Sequence, residues 1–320
     1  MRFGVLGNAK IAREKVAPAM IKAGHTITAV ASRSQESART FADAFDVTHT
    51  FADYDELLAC DEVDAVYIPL PNHLHVPYAL KALEAGKHVL CEKPIARDAE
   101  ELEPLYAAAM KHDKVVMEAF MVCQHQQWQA IHETILPAIG PVRAIQGAFS
   151  YYNRSPDNVR NVAEWGGGGL LDIGCYTVLA GIWTFGIAPL NVQSMVDIDP
   201  DFDTDRLAAA LLDFGEGRVL SMTVSTQLAD YQRLTLLGER GWAELDIPFN
   251  PDPAGAVITL AEAGGRGRGE PFTLAPQDQY VAMIDFFASK VASEERWHNL
   301  DTSRMVIETL DRIRRSARLL

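Results

Sequence analysis

The sequence is poor in positive charge and has no long apolar run. Its 320 residues contain 29 Lys and Arg against 43 Asp and Glu, which gives a formal net charge of −14. Nucleic acids and anionic membranes attract clustered positive charge, so we expect neither as a partner. No stretch approaches the roughly 18–20 apolar residues of a transmembrane helix. Residues 1–7 lead into a glycine turn, and we therefore expect no signal peptide.

Cysteine is also scarce. The four cysteines, at positions 60, 91, 123 and 175, form no C-x-x-C pair. This spacing argues against a disulfide framework and against a structural zinc site. Free thiols without an export signal predict a reducing cytoplasm. His73, His75, Cys91 and Glu92 could share a metal, but no further ligand spacing supports such a site, and we predict none.

The first 120 residues alternate between apolar strands and helices. Strand-like runs at 2–7, 26–31, 47–51, 64–70, 88–92 and 114–120 are separated by helical segments. Repeated βαβ units predict a parallel sheet, and six strands fit the doubly wound nucleotide-binding fold. We therefore expect a Rossmann dinucleotide-binding domain at residues 1–121.

The rest of the chain has a different pattern. A helix is predicted at 170–185, after four glycines, and strand-like runs follow at 191–198, 206–214, 218–227, 233–237, 242–247 and 257–260. A further strand is predicted at 143–152, and helices at 279–293 and 301–319. Short turns between consecutive strands predict an α+β domain at 122–320, with a large open antiparallel or mixed sheet. The glycine-rich segment 264–269 is interpreted as a hairpin loop rather than as an RGG-type nucleic-acid tail.

A relaxed dinucleotide-binding turn follows the first strand. Its sequence is Gly7-Asn8-Ala9-Lys10-Ile11-Ala12, or G-x-A-x-x-A. The glycine permits a tight turn, and the small residues allow the pyrophosphate and the following helix to approach closely. The N–H groups at the start of that helix would then face the phosphates.

The end of the second strand predicts the choice of cofactor. An acidic residue there would bind the ribose hydroxyls of NAD and repel a 2′-phosphate. The chain instead has Ser32-Arg33-Ser34, and a guanidinium with two hydroxyls suits a phosphate dianion. We therefore predict NADP, with NAD as the less favoured choice. In the alternative interpretation, Ser34 only caps a helix and Arg33 is a solvated charge.

Three further segments carry groups suited to hydride transfer. The segments 69–75 and 91–94 follow the fourth and fifth strands, at the edge where this fold binds ligands. In the third, Asp172 and Tyr176 lie four residues apart and would share one face of a helix. A tyrosine hydroxyl can exchange the substrate proton, and a nearby ammonium such as Lys93 would lower its pKa. Structurally, Lys93 could instead be a surface residue, Tyr176 a core residue and Asp172 a helix cap.

Together these motifs resemble the glucose–fructose oxidoreductase/inositol dehydrogenase (Gfo/Idh/MocA) family. The resemblance rests on the glycine turn, Asn72-His73-Leu74-His75, Glu92-Lys93-Pro94, and the glycine run that leads through Asp172 to Tyr176. It implies NAD(P)-dependent oxidation or reduction of sugars, polyols or related alcohols. It also implies a C-terminal open-faced sheet that often forms the subunit interface, so we expect a homodimer or homotetramer.

The resemblance also implies roles for individual residues. Lys93 matches the active-site lysine and Asp172 the aspartate of the conserved motif. Many members have histidine at the position of Tyr176. A tyrosine there resembles the branch with glucose–fructose oxidoreductase, dimeric dihydrodiol dehydrogenase and NADP-linked xylose dehydrogenase. We expect the cofactor to contact the glycine turn (Gly7, Asn8, Ala9, Lys10, Ile11), the end of the second strand (Ser32, Arg33, Ser34), and Pro69, Leu70, Asn72, His75, Glu92, Lys93 and Arg160.

One segment departs from the family pattern. Relatives often have Phe-Met-x-Arg-x-His-Pro, whereas Cys123 and Gln126 replace the arginine and the proline here. The substrate therefore cannot be transferred from a relative by name.

The leading prediction is a cytoplasmic NADP-dependent oxidoreductase acting on a sugar or polyol, either an aldose dehydrogenase or a keto-sugar reductase. Tyr176, Lys93 and Asp172 are its predicted catalytic residues. A trans-1,2-dihydrodiol dehydrogenase is an alternative, with Trp128, Trp165 and Tyr152 as an aromatic pocket. A non-catalytic NADP(H)-sensing regulator is another, although such a protein would have lost the lysine or the tyrosine.

Overall fold

The computed structural model describes residues 1–262, 268–293 and 300–319. The chain divides into two compact units. The first comprises Met1–Met121 and Asp278–Asp301, and the second comprises Val122–Gln277 and Thr302–Leu320. The division at residue 121 lies at the expected boundary, but the segment Asp278–Asp301, which we expected in the second domain, belongs to the first unit.

The first unit is a six-stranded parallel sheet with helices. Its strands are β1 (Arg2–Leu6), β2 (Thr26–Ala31), β3 (His49–Phe51), β4 (Ala65–Ile68), β5 (His88–Cys91) and β6 (Val116–Glu118), in the order β3-β2-β1-β4-β5-β6. Its helices are α1 (Ala17–Lys22), α2 (Gln35–Phe45), α3 (Tyr54–Leu58), α4 (His75–Glu84), α5 (Leu102–His112) and, later in the chain, α9 (Gln279–Ala292). The central strands are buried along nearly their whole length, as parallel strands with helices on both faces require.

The first helical stretch is widened where the sequence has a proline. The chain is helical from 10 to 22, and Ala12–Val16 within it is a π-helical turn. Pro18 lies in the first turn of α1. It has no N–H and would clash with the carbonyl four residues earlier in a regular α-helix, so a widened turn accommodates it without ending the helix.

Helix α9 explains the correction to the domain boundary. Asp278 caps it by accepting from the N–H of Tyr280 at 3.0 Å, and the same side chain pairs with Lys22 of α1 at 3.2 Å. Phe287 is fully buried and its ring centroid lies 6.0 Å from that of Phe3 on β1. Burying this apolar face against β1 and α1 places the segment in the first unit.

The second unit is built on a nine-stranded sheet. Its strands are β7 (Val142–Tyr152), β8 (Asn191–Ile198), β9 (Asp205–Asp213), β10 (Val219–Ser225), β11 (Gln227–Gly238), β12 (Gly241–Leu245), β13 (Val257–Glu262), β14 (Glu270–Thr273) and β15 (Ala317–Leu319), in the order β14-β13-β12-β11-β7-β10-β9-β8-β15. Its helices are α6 (Gln126–Ala130), α7 (Leu136–Ile139), α8 (Cys175–Phe185) and α10 (Asp301–Ser316). Two pairs, β7–β10 and β8–β15, are parallel, and the other pairs are antiparallel.

The predicted fold class, a Rossmann sheet followed by a large mixed sheet, is confirmed. Strands β14 and β15 and the short helices α6 and α7 were not predicted. Helix α10 ends at Ser316 and the chain then adds β15 to the sheet, where the sequence predicted helix to residue 319. Most of the glycine-rich segment 264–269 lies outside the described residues.

The core of the second unit lies between α8 and one face of the sheet. Along β9 and β10 buried and more exposed residues alternate, so one face of the sheet is covered. Helix α8 is apolar and buried on nearly all sides. Among the described residues, one helical stretch, Ala163–Phe185, is long and apolar enough to cross a membrane, but 83% of its apolar window is buried within the protein, as in a core helix.

Candidate functional site

The glycine turn lies at the centre of the parallel sheet. β1 is flanked by β2 and β4, where the strand order reverses, and this is the crevice in which doubly wound sheets bind ligands. Gly7 follows β1 with φ +108°, and its N–H donates to the carbonyl of Ala31 at 2.7 Å. A Cβ at position 7 would lie 3.2 Å from Cδ2 of Leu70. Any other residue would also have to adopt this positive φ, which residues with a side chain disfavour, so glycine is required here.

Two residues outside the motif hold this turn. Asn8 Nδ2 donates to the carbonyl of Ser37 at 3.0 Å and to its hydroxyl at 3.2 Å. Arg13 Nη1 donates to Asn8 Oδ1 at 2.8 Å. The backbone next to the expected pyrophosphate is therefore fixed from α2 and from the first helical stretch. Lys10, further along the motif, is exposed and pairs with Glu14.

The end of β2 combines a capping role with an exposed cation. Ser34 caps α2 by accepting from the N–H of Ser37 at 3.2 Å, as predicted, and Ser32 Oγ donates to Ser37 Oγ at 3.0 Å. Arg33 lies between the two serines and is exposed. The guanidinium and hydroxyls at this strand end, with no carboxylate among residues 32–34, fit the 2′-phosphate of NADP.

The loop that carries Glu92 and Lys93 is tied to neighbouring strands. Tyr67, fully buried on β4, donates to Glu92 Oε1 at 2.7 Å. Burial and the Glu92 carboxylate raise the pKa of Tyr67 well above its usual range, so its hydroxyl stays protonated as the donor. Glu118 Oε1 on β6 accepts from the N–H of Ile95 at 2.9 Å. Neither Tyr67 nor Glu118 was singled out from the sequence.

His75 links the two loops that follow β4 and β5. Its Nδ1 lies 2.7 Å from the carbonyl of Pro94 and its Nε2 lies 2.7 Å from the carbonyl of Leu70. Burial lowers the pKa of His75 to about 4. Because a neutral imidazole has one N–H, His75 donates to one of these carbonyls at neutral pH. Both ring nitrogens therefore face backbone carbonyls.

In the second unit, Asp172 is the centre of a charged cluster. Its Oδ2 accepts from the Tyr151 hydroxyl at 2.7 Å and pairs with Arg160 Nε at 2.7 Å. The Asp172 carboxylate raises the pKa of Arg160, and burial together with Asp172 raises the pKa of Tyr151. The guanidinium thus stays charged and the Tyr151 hydroxyl stays protonated. Arg160, expected at the cofactor, belongs to this cluster.

Tyr176 lies beside this cluster and against aromatic rings. Its ring centroid lies 6.0 Å from that of Phe149 and 5.6 Å from that of Phe249, and it interacts electrostatically with Arg160. The segment Leu170–Gly174 is π-helical and continues directly into α8. The turn that carries Asp172 is therefore π-helical and not the regular α-helix that was predicted, but Asp172 and Tyr176 both interact with Arg160. Asp172 lies inside the helical stretch and is not its cap.

The segment that departs from the family pattern is ordered by side-chain contacts. His125 caps α6 by accepting from the N–H of Gln127 at 3.2 Å. Gln126 donates its N–H to Oε1 of Gln277 at 2.7 Å, a bond that a proline at this position could not make.

Two of the three residues of the alternative aromatic pocket have different environments. Trp128 is fully buried and donates to the carbonyl of Pro248 at 2.8 Å, whereas Tyr152 is 65% exposed. Within residues 1–262, 268–293 and 300–319, no group of three or more His, Cys, Asp or Glu is arranged to hold a metal ion. In the same ranges none of the four cysteines forms a disulfide.

The predicted site residues thus fall into two sets. The glycine turn, residues 32–34, residues 69–75 and Glu92-Lys93 lie in the first unit, at the carboxyl edge of its sheet. Asp172, Tyr176 and Arg160 lie in the second unit. The additional residues Ser37, Tyr67, Glu118 and Tyr151 fix these sets but carry no local motif.

Comparison with known proteins identifies relatives over the whole chain. The family model of the GFO/IDH/MocA oxidoreductases, NAD-binding Rossmann fold, matches residues 1–120, and that of the GFO/IDH/MocA C-terminal domain matches residues 129–244. An uncharacterized oxidoreductase of Rhizobium meliloti, ORF334, is 41% identical over 99% of this chain and 97% of its own. D-xylose 1-dehydrogenase (NADP(+)) 2 of Haloferax volcanii is 32% identical over 99% of this chain and 97% of its own.

A solved structure shows the same fold over the full length. It is KijD10, a 3-ketoreductase from Actinomadura kijaniata, in complex with NADP and TDP-benzene. The TM-score is 0.91 with 31% sequence identity, and the match covers 100% of this chain and 98% of that chain.

Proposed function

The chain belongs to the GFO/IDH/MocA oxidoreductase family, and on that premise we propose that it is an NADP-dependent enzyme that transfers a hydride between the nicotinamide and a sugar or polyol. The observation that carries this proposal is the cluster of Tyr151, Arg160 and Asp172 beside Tyr176. A tyrosine next to a fixed guanidinium suits proton exchange with a substrate hydroxyl or carbonyl. The xylose dehydrogenase supports the class of substrate, since it acts on a sugar by name.

Cofactor binding is assigned to the first unit. The glycine turn would hold the pyrophosphate, because Gly7 allows close approach and the following helix presents its N–H groups. Arg33 would bind the 2′-phosphate, with Ser32 and Ser34 beside it. The NADP complex of KijD10 and the NADP-linked xylose dehydrogenase support NADP rather than NAD.

When bound, NADP supplies or accepts the hydride, so the protein has to move one proton and orient the substrate. We assign the proton transfer to Tyr176 and an assisting role in the same step to Lys93. The Asp172 carboxylate fixes the guanidinium of Arg160, and Tyr151 fixes Asp172. The substrate oxygen would then face a proton donor whose neighbours are already oriented, which reduces reorganisation during the reaction.

The test is the absorbance of reduced nicotinamide, recorded with purified protein and with NADP or NAD in parallel. The panel contains D-xylose and other aldoses, inositols, a nucleotide-linked keto sugar and an aromatic dihydrodiol. Turnover with NADP on a sugar or polyol supports the proposal, and Tyr176→Phe serves as the inactive control. Turnover with the dihydrodiol alone would contradict the substrate class. Tight NADPH binding without turnover on the whole panel would favour the regulator instead.

Two further predictions accompany this function. Exposed apolar residues on β8 and β9, such as Met195 and Leu211, support a homodimer or homotetramer through the second sheet, and light scattering measures its mass.

Four separated cysteines support a reducing cytoplasm.

A further inference from the structure

A carboxylate from β9 binds the start of the helical stretch that carries Asp172 and Tyr176. Asp205 Oδ2 accepts from the N–H of Leu170 at 2.6 Å. This N–H group is one of those that the first turn of a helix leaves without an internal partner. Asp205 is 35 residues beyond Leu170 in the chain, so this is a tertiary contact and not a local cap.

The glycine run is shaped around this carboxylate. Gly168 has φ +112°, and a Cβ there would lie 2.1 Å from Asp205 Oδ1. A Cβ at Gly167 would lie 2.5 Å from the carbonyl oxygen of Arg160. Any side chain at these two positions would therefore displace either Asp205 or the Arg160 backbone. Because it has no side chain, Gly168 leaves room for the Asp205 carboxylate, and Gly167 leaves room for the backbone of Arg160.

We propose that Asp205 is a positioning residue for the reaction: it anchors the first turn of the Leu170 helix and so fixes Asp172 and Tyr176. The inference rests on the proposed function. Asp205 acts through the backbone between Gly168 and Asp172. A backbone hydrogen bond links the two ends of this segment, since the N–H of Asp172 donates to the carbonyl of Gly168 at 3.1 Å.

The surroundings show what holds the carboxylate in place. Burial raises the pKa of Asp205 to about 7, against the opposing effect of the N–H donors and of Arg314 on α10. Tyr151 on β7 is close enough for Asp205 to raise the pKa of its hydroxyl. A buried carboxylate needs hydrogen bonds or nearby charges to offset its desolvation, and the N–H of Leu170 at the helix start is one of these partners here.

The test uses Asp205→Ala, Asp205→Asn and the matched control Asp203→Asn, which changes an exposed residue two positions away. Deuterium exchange is measured on peptides that span residues 166–176, together with NADPH affinity, kcat and KM. We expect Asp205→Ala to raise amide exchange in this segment and to lower kcat, each by roughly tenfold or more, because a charge-assisted hydrogen bond is lost. NADPH affinity should not change, since its proposed site lies in the first unit.

Asp205→Asn separates positioning from a loss of folding. The amide oxygen can still accept from Leu170, so exchange and kcat should return most of the way to the wild-type values. Unchanged exchange in both Asp205 variants would overturn the proposal, and so would faster exchange with unchanged kcat. Exchange is measured whether or not a substrate is found, so a wild-type enzyme that is silent on the panel contradicts the proposed function, while unchanged exchange contradicts the anchor.

Discussion

The hydroxyl of Tyr151 lies 2.7 Å from Oδ2 of Asp172, the oxygen that also pairs with Arg160. Tyr151, which belongs to no sequence motif, thus donates a hydrogen bond to the aspartate of the motif that runs from the glycines to Tyr176. With both partners on one oxygen, Asp172 is held from β7 and from the segment before the glycine run. Oδ2 of this carboxylate thus supports the guanidinium of Arg160.

Tyr151→Phe tests this support. The change removes one hydrogen bond to a carboxylate and keeps the ring, so the free energy of unfolding should fall by about 1.5–3 kcal/mol. We expect kcat to fall by roughly 3- to 30-fold, because Arg160 keeps its own contact with Asp172 and part of the arrangement survives. Urea unfolding and steady-state kinetics measure both. Tyr152→Phe, at the exposed neighbour, is the control; equal effects in the two variants would contradict the assigned contact.

Arg33→Ala tests the choice of cofactor. Removing the guanidinium should raise KM for NADP by about 10- to 100-fold, since each tenfold change corresponds to about 1.4 kcal/mol and charge-assisted bonds to phosphate are of this size. KM for NAD should not rise, because NAD lacks the 2′-phosphate. Arg39→Ala, an exposed arginine on α2, is the matched control. A proportional loss with both cofactors would place Arg33 away from the 2′-phosphate.

Local features of the fold were predictable from the sequence. The cap at Ser34, the bounds of β2 and the positive φ of Gly7 all depend on neighbouring residues, so the residue type and its position were enough. The parallel arrangement of the first sheet followed from the repeated βαβ pattern of the sequence.

The contacts that fix the site were not predictable. Tyr67 and Glu92 are 25 residues apart, and Tyr151 and Asp172 are 21 apart. A single sequence does not record which distant residues meet, because many polar residues could satisfy one carboxylate. The π-helical turn Leu170–Gly174 also has no residue pattern of its own. This wider turn replaces the regular α-helical turn that the sequence predicted between Asp172 and Tyr176.

Tyr176→Phe and Lys93→Met test the assignment of the proton transfer. Tyr176→Phe keeps the ring that packs on Phe149 and removes only the hydroxyl, so kcat should fall by about 10²- to 10⁴-fold with NADPH affinity unchanged. If both residues serve one step, the double variant should be no worse than the poorer single variant. Multiplied losses would show that the two act independently, and a fully active Tyr176→Phe would remove Tyr176 from the mechanism.

His75 should make the stability of the protein depend on pH. Its pKa is about 4 in the folded protein against 6.5 for an ordinary histidine, so the unfolded chain binds the extra proton between these values. The stability contributed by the neutral buried ring is therefore complete above about pH 6.5 and is lost as the pH falls towards 4, by at most about 3 kcal/mol. Urea unfolding between pH 4 and 8 should show this slope in the wild type and a shallower one in His75→Gln. His112→Gln, at the end of α5, should keep the wild-type slope. An identical slope in His75→Gln would contradict the lowered pKa of His75, because the ring would then bind its proton equally in the folded and the unfolded chain.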